Sequence, residues 1–266
     1  MDIILIGSGN VATVLGRRSR DAGHRILQVY GRNQVTVRSL AANLDAVPVE
    51  KISELEKSVD LILIALRDEA VSSFIGDLGS SQAMLVHTAG ALSIDLLKSA
   101  SNAYGVLYPL QSLRKEIQTI PPITLLVDGN QPQTRGILRE FGASIAETVL
   151  DASDEIRLNY HLAATLVNNF TNYLYILAAS FCKEEKIMFS ALQPLMEETV
   201  NRLRTISPSQ SQTGPAWRND LITLEKHRQV LKDFPAISKL YDLFTEEIQR
   251  FASSGQGEGK TSLGKV

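Results

Sequence analysis

The sequence predicts an α/β protein: a doubly wound, mostly parallel sheet in the first part of the chain, followed by an all-α C-terminal region. Three observations predict it. β-rich runs alternate with helical segments as far as Asp151, the order that builds a parallel sheet with helices on both faces. Runs such as "DLILIAL" (60–66) are aliphatic at nearly every position, as strands covered on both sides are. After Asp151 the strand-like runs disappear, and apolar residues three and four apart continue to about residue 252.

In order, the strand candidates are 2–7, 25–31, 46–49, 60–66, 84–90, 104–110, 123–129 and 143–149. Between them "VATVLGRRSRDAG", "QVTVRSLAANL", "DEAVSSFIGDLG" and "PQTRGILREFG" place apolar residues at helical spacing. Several close in Gly or Asn, as helix ends do. Long helical segments then cover 153–182, 184–206 and 219–252, and Pro194 predicts a kink or break in the second. "SPSQSQTGP" (207–215) reads as a loop and "SSGQGEGKTSLGKV" (253–266) as a flexible tail. The expected domains are therefore 1–152, 153–252 and the tail 253–266. Within the tail "GQGEGKTS" resembles a phosphate-binding loop, but Ser254 stands where its first glycine belongs and a helical pattern precedes it. No site is assigned there.

Composition narrows the function. The 266 residues are 44% hydrophobic and 21% charged, with a net charge of -2, so nothing favours a nucleic-acid or membrane partner. Cys182 is the sole cysteine, which rules out an intrachain disulfide and a multi-thiolate metal site; no metal is expected. Met1-Asp2 leads into the first strand without a basic n-region, so no signal peptide and a cytoplasmic location are expected. The most apolar stretch, 162–181, carries Asn168, Asn169 and Asn172 in mid-span, which suits a buried helix better than a lipid-facing one.

The first strand runs into Gly7-Ser8-Gly9-Asn10-Val11-Ala12. A glycine at the tight turn, a second where backbone approaches a pyrophosphate, and a small third residue for helix–strand contact make the dinucleotide fingerprint of the Rossmann fold. The helix start that follows offers unpaired N–H groups to phosphate. At the end of the second strand stand Tyr30, Gly31, Arg32 and Asn33, with no carboxylate for a free ribose 2′-hydroxyl. Arg32, with Arg38 further along, can instead pair with a 2′-phosphate, so NADP is expected over NAD.

Ligands of such sheets lie beyond the carboxyl ends of the strands. "LRDEAV" (66–71) puts Leu66 and Arg67 along the cofactor, "HTAG" (87–90) brings His87 towards the nicotinamide, and "LYPLQSL" (107–113) offers Tyr108 and Gln111. His161, Thr165, Asn168 or Asn169, and Asn172 recur at helical spacing on one polar face, which meets a cleft or another polar surface. "TGPAWRND" (213–220) offers Thr213 and Arg218. His87 and Tyr108 are the candidate proton donors; Asn168, Asn169 and Thr213 are candidates for orienting a substrate.

With "GSGNVA", "VYGRN", "VHTAG", "GVLYPLQS", "HLAATLVNNFTNYLY" and "QTGPAWRND" assembled, the chain resembles a group of mainly bacterial NADP oxidoreductases. These join a Rossmann domain to a helical C-terminal domain of unknown function, of the DUF2520 type. They are distantly related to pyrroline-5-carboxylate reductase and to 6-phosphogluconate and β-hydroxyacid dehydrogenases. The resemblance implies reduction of a C=O or C=N bond of a small metabolite, and a homodimer formed through the helical domain. In the dehydrogenase relatives a catalytic lysine precedes an asparagine pair; Asn168-Asn169 look like the pair, but Thr165 occupies the lysine position. Lysine-assisted hydroxyacid oxidation is thereby disfavoured. A non-catalytic NADP-binding sensor or partner-binding protein is the alternative.

Overall fold

The computed structural model describes residues 1–254, so the glycine-rich "GQGEGKTS" stretch lies outside the described residues. Two compact units make up the described chain, one spanning Met1–Asn169 and the other beginning at Phe170.

The first unit is the sheet. Its strands are β1 (Asp2–Ile6), β2 (Arg25–Tyr30), β3 (Val47–Val49), β4 (Leu61–Ile64), β5 (Met84–His87), β6 (Tyr104–Pro109), β7 (Thr124–Gly129) and β8 (Thr148–Asp151). They lie in the order β3-β2-β1-β4-β5-β6-β7-β8, every neighbouring pair parallel except β6 with β7. The helices between them are α1 (Asn10–Asp21), α2 (Gln34–Asn43), α3 (Asp68–Leu78) and α4 (Pro132–Ile145).

Alternation along each strand sorts the core into two layers. Ile3, Leu5, Leu61 and Leu63 pack with Leu15 of α1, Val37 of α2 and Leu138 of α4. Ile4, Ile6, Ile62 and Ile64 pack with Val71, Phe74 and Ile75 of α3 on the opposite face. Strands buried on both sides need aliphatic residues throughout, and these have them. Between β1 and β4 the strand order reverses, which opens the crevice where such sheets hold their ligands.

The strand expected at 143–149 is a correction. Helix α4 runs on to Ile145, and the strand is β8, Thr148–Asp151. Leu138, Phe141 and Ile145 keep one apolar stripe in the core, and that 3.6-residue period overrides the short alternation in "ASIAE".

Beyond β8, α5 (Asp154–Ala164) is followed by a π-helical stretch, Thr165–Phe170, and by α6 (Thr171–Glu184). Helix α5 falls in the first compact unit, although the sequence pattern changes before it. Arg157 accounts for this: its side chain is buried and donates to the Leu92 carbonyl, after β5.

The second unit continues from α6 with α7 (Gln193–Arg202), α8 (Pro208–Ser211), α9 (Leu221–Val230) and α10 (Pro235–Ser253). Two long helices expected from the sequence are interrupted. The expected break falls just before Pro194, which sits in the first turn of α7, where a missing N–H costs nothing, and so starts a helix instead of kinking one. Pro235 likewise opens α10 after a break at Asp233-Phe234. Among the described residues no helix is long and apolar enough to cross a membrane.

Candidate functional site

Gly7 adopts φ +116°, and a Cβ there would lie 2.3 Å from the Ala65 carbonyl oxygen at the end of β4. Only glycine fits. Its N–H donates to the Tyr30 carbonyl at 2.7 Å, which ties the turn to the end of β2. Gly9 precedes α1 and is exposed, with no side chain capping the helix and no acidic residue in its first turn. A Cβ on Gly9 would meet nothing within 4 Å, so the first-turn N–H groups face open space. Ala12 is buried beneath Gly7, 3.7 Å from where its Cβ would be. An uncapped helix start with an open approach fits the pyrophosphate of a dinucleotide.

The rest of the cradle lies close by. The Ser8 hydroxyl is 2.7 Å from that of Thr36, and Gly31 is buried, its hypothetical Cβ 3.7 Å from Ser8 Oγ. Arg32 is exposed and makes no ion pair among the described residues. Arg38 is engaged by Glu50 at 2.6 Å. Asn33 serves α2: its Oδ1 accepts from the N–H groups of Val35 and Thr36. Asn10 Oδ1 accepts from the Lys115 N–H, and Val11 is half-buried. Leu66 is half-buried, and Arg67 is exposed at the start of α3.

A cavity of about 490 Å³ in the same unit is lined by Tyr108, Leu110, Gln111 and Ser112 after β6, and by residues from Tyr160 to Asn169. Tyr108 Oη lies 2.9 Å from His161 Nδ1, with the rings edge to face. Burial pushes the Tyr108 phenol up, with Asp68 adding to the effect and Arg157 opposing it. Thr165, Asn168 and Asn169 complete the wall. In a regular helix adjacent side chains diverge by about 100°. The π-helical stretch Thr165–Phe170 carries both asparagines, and both reach this wall.

His87 is elsewhere. It is fully buried at the end of β5 and does not line the cavity. Its Nδ1 accepts from the Ala89 N–H at 3.2 Å, which leaves the ring hydrogen on Nε2. Nε2 has no partner at hydrogen-bonding geometry, the Ser93 backbone being only a weaker electrostatic neighbour. Burial, then the Arg157 charge, lowers its pKa to about 4, so the ring is neutral at physiological pH. Thr213 and Arg218 belong to the second unit, where both are exposed. Asn172, also in that unit, is exposed and is not part of the wall.

Sequence reasoning singled out the His161 stripe but not Tyr160, Ser112, Gly90 or Arg157. An arginine early in a helix reads as solvated, and no sequence signal marks it as buried.

Two family models match the chain: "NADP oxidoreductase coenzyme F420-dependent" over residues 2–90 and "Domain of unknown function (DUF2520)" over residues 123–248. No curated protein is similar enough to count as a relative. Among solved structures, one described as a "putative NADP oxidoreductase" from Bacteroides fragilis is 32% identical, covers 94% of this chain and 98% of its own, and has a TM-score of 0.87. The 1-pyrroline-5-carboxylate reductase of Streptococcus pyogenes shares the fold at 15% identity, covering 94% and 98%, with a TM-score of 0.60. So does a reductive aminase from Aspergillus terreus, solved with NADPH and ethyl-5-oxohexanoate, at 13% identity, 96% and 95% coverage and a TM-score of 0.72. By its likeness to the Bacteroides protein over nearly the full length of both, the chain belongs to the family of NADP oxidoreductases that carry a C-terminal DUF2520 domain.

Proposed function

We propose that the chain binds NADP(H) in the Gly7–Ala12 cradle and reduces a C=O or C=N bond of a small metabolite, working as a homodimer. The observation that carries the reading is the Tyr108–His161 pair, 2.9 Å apart in a cavity where Gln111, Ser112, Asn168 and Asn169 stand among apolar residues, in the unit that holds the glycine turn. The reductive aminase that shares the fold was solved with NADPH, which supports the choice of cofactor. When bound, the cofactor supplies a hydride. Main-chain N–H groups at Gly9 and α1 would hold its pyrophosphate, Ser8, Gly31, Arg32 and Asn33 its ribose phosphate, and Leu66 and Arg67 would contact it further along. The Tyr108 hydroxyl gives its proton to the oxygen or nitrogen of the reduced bond, and the exposed His161 restores it from Nδ1–H while its Nε2 takes a proton from solvent. Asn168 and Asn169 orient the substrate, their amides donating to a carbonyl and accepting from a hydroxyl.

A screen of carbonyl, imine and hydroxyacid compounds with NADPH and NADH tests this; F420, the carrier named with the N-terminal family model, belongs in the same screen. Tyr108→Phe is expected to lower kcat by ~10²–10⁴-fold while NADPH affinity stays within about threefold. Full turnover by that variant would refute the donor assignment, and a preference for NADH would overturn the role of Arg32. NADPH binding with no turnover of any compound would favour the sensor reading, which Thr165 in the lysine position supports.

A further inference from the structure

Helix α5 meets the segment after β5 along one stripe. Asp154, Arg157 and His161 stand three and four residues apart, on one face of the helix. Each touches a different residue of the segment. Asp154 Oδ1 accepts from the Ile94 N–H at 3.3 Å. Arg157 Nη2 donates to the Leu92 carbonyl and, at 2.7 Å, to Asp154 Oδ1. Against His161 lies Gly90, where a Cβ would come within 2.9 Å of Nδ1 and 3.1 Å of Tyr108 Cε2. As the helix advances turn by turn, the segment recedes two residues at a time. The two run antiparallel, and the last contact of the series is with the Tyr108–His161 pair itself.

The middle contact is a costly one. Arg157 is fully buried, yet its Nε and Nη1 have no partner at hydrogen-bonding geometry. If stability alone were at stake, an apolar side chain of similar size would serve as well or better. A charged nitrogen that donates at once to the Leu92 carbonyl and to Asp154 does fix orientation, which an apolar chain does not.

We propose that Arg157 is a positioning residue, locking α5 to the segment after β5 in the register that seats His161 against Tyr108. This rests on the reading of Tyr108–His161 as the proton-donating pair. The charged and titratable groups acting on Tyr108 are Asp68 from α3 and Arg157 from α5, with His161 on its hydroxyl.

The test needs no substrate. The chain has four histidines, so imidazole ¹⁵N spectra of the full-length protein can be assigned with His161→Gln as reference. The neutral His161 ring is expected as a single tautomer, with its Nδ1–H donating to Tyr108 Oη. Arg157→Met should give averaged shifts from two tautomers, with the far-UV spectrum retained, and Arg157→Lys should recover most of the single-tautomer signal. Gly90→Ala, which changes no charge, should also give averaged shifts. A folded Arg157→Met with the native His161 spectrum would overturn the proposal. If that variant fails to fold, a native His161 spectrum in Gly90→Ala does the same.

The two readings fail separately. Loss of turnover in Tyr108→Phe with an unaltered His161 spectrum in Arg157→Met sinks the positioning role alone. Averaged tautomers in Arg157→Met with full turnover in Tyr108→Phe sink the donor reading, and leave Arg157 seating a pair with another use.

Discussion

At the scale of single residues, the two glycines of the turn separate strain from binding. Gly7 needs its positive φ and its missing Cβ, since a methyl would press on the Ala65 carbonyl. Gly7→Ala should therefore cost ~2–4 kcal/mol in denaturant unfolding. Gly9 has an ordinary φ of -83° and open space around it. Gly9→Ala should keep native stability or gain up to about 1 kcal/mol, yet weaken NADPH at least about tenfold by filling the pyrophosphate space. Equal losses of stability in both variants would contradict that division. His87 makes a pH-dependent prediction. Its folded pKa of about 4 lies below the ordinary 6.5, so below pH 6.5 the unfolded chain binds a proton that the folded chain refuses. Stability must then fall as pH drops from 6.5 towards 4, by about 2 kcal/mol near pH 5 from this one group. His87→Gln should show a shallower fall over that window; the same slope in both proteins would place the titration elsewhere. Both glycines were legible in the sequence because spacing alone specifies them. The burial of His87 was not, because a histidine at a strand end looks the same whether it faces a cleft or the core.

At the scale of elements, Asn33 has two possible employments that mutation can pull apart. Its Oδ1 caps α2 by accepting from the Val35 and Thr36 N–H groups, and its neighbour Arg32 is the exposed cation at the end of β2. Asn33→Ala should cost ~0.5–2 kcal/mol through the lost cap, whether or not NADPH is present. Asn33→Asp keeps a capping oxygen and favours the helix dipole, so stability should stay near native. Its new negative charge would repel a 2′-phosphate, and the ratio of NADPH to NADH affinity should fall by about tenfold or more. An unchanged ratio in Asn33→Asp would remove Asn33 from the phosphate site while leaving it as a cap. The same two-sidedness sets how far elements could be read from sequence. Aliphatic strands at 2–7 and 60–66 were plain, because burial on both faces leaves no polar position to confuse the period. The end of α4 was misread because "ASIAE" satisfies a strand period over a few residues, while the stripe from Leu138 to Ile145 satisfies a helical one over more. The π-helical stretch had no local signature at all: "TLVNNF" favours no register of its own, and the extra residue per turn is visible only in three dimensions.

At the scale of the whole molecule, the helices after β8 leave much apolar surface exposed. Arg157 is the only buried residue of α5, none is buried in the π-helical stretch, and Cys182 alone is buried in α6. Yet residues 162–181 are apolar enough to be compared with a membrane span. Within the first unit Leu162 and Val167 are 60% and 75% exposed; within the second, Phe170 and Ile176 are 58% and 54% exposed. A helix that is apolar on most of its faces belongs in an interior, and monomers rarely show continuous apolar patches beyond a few hundred Å². In the homodimer proposed above, a second copy of this chain would cover this surface. A 29.2 kDa chain should therefore sediment at twice that mass at micromolar concentration. A glutamate at Tyr173 or Ile176, both exposed in the second unit, would bury an unpaired charge in the interface and should leave monomers. NADPH affinity should stay within about threefold in those monomers, since every residue assigned to the cradle lies in the first unit. A native chain sedimenting as a monomer would refute the dimer. Dimers that survive both glutamates would move the interface to another face, and a lost NADPH affinity in well-folded monomers would mean that the cradle depends on the second copy.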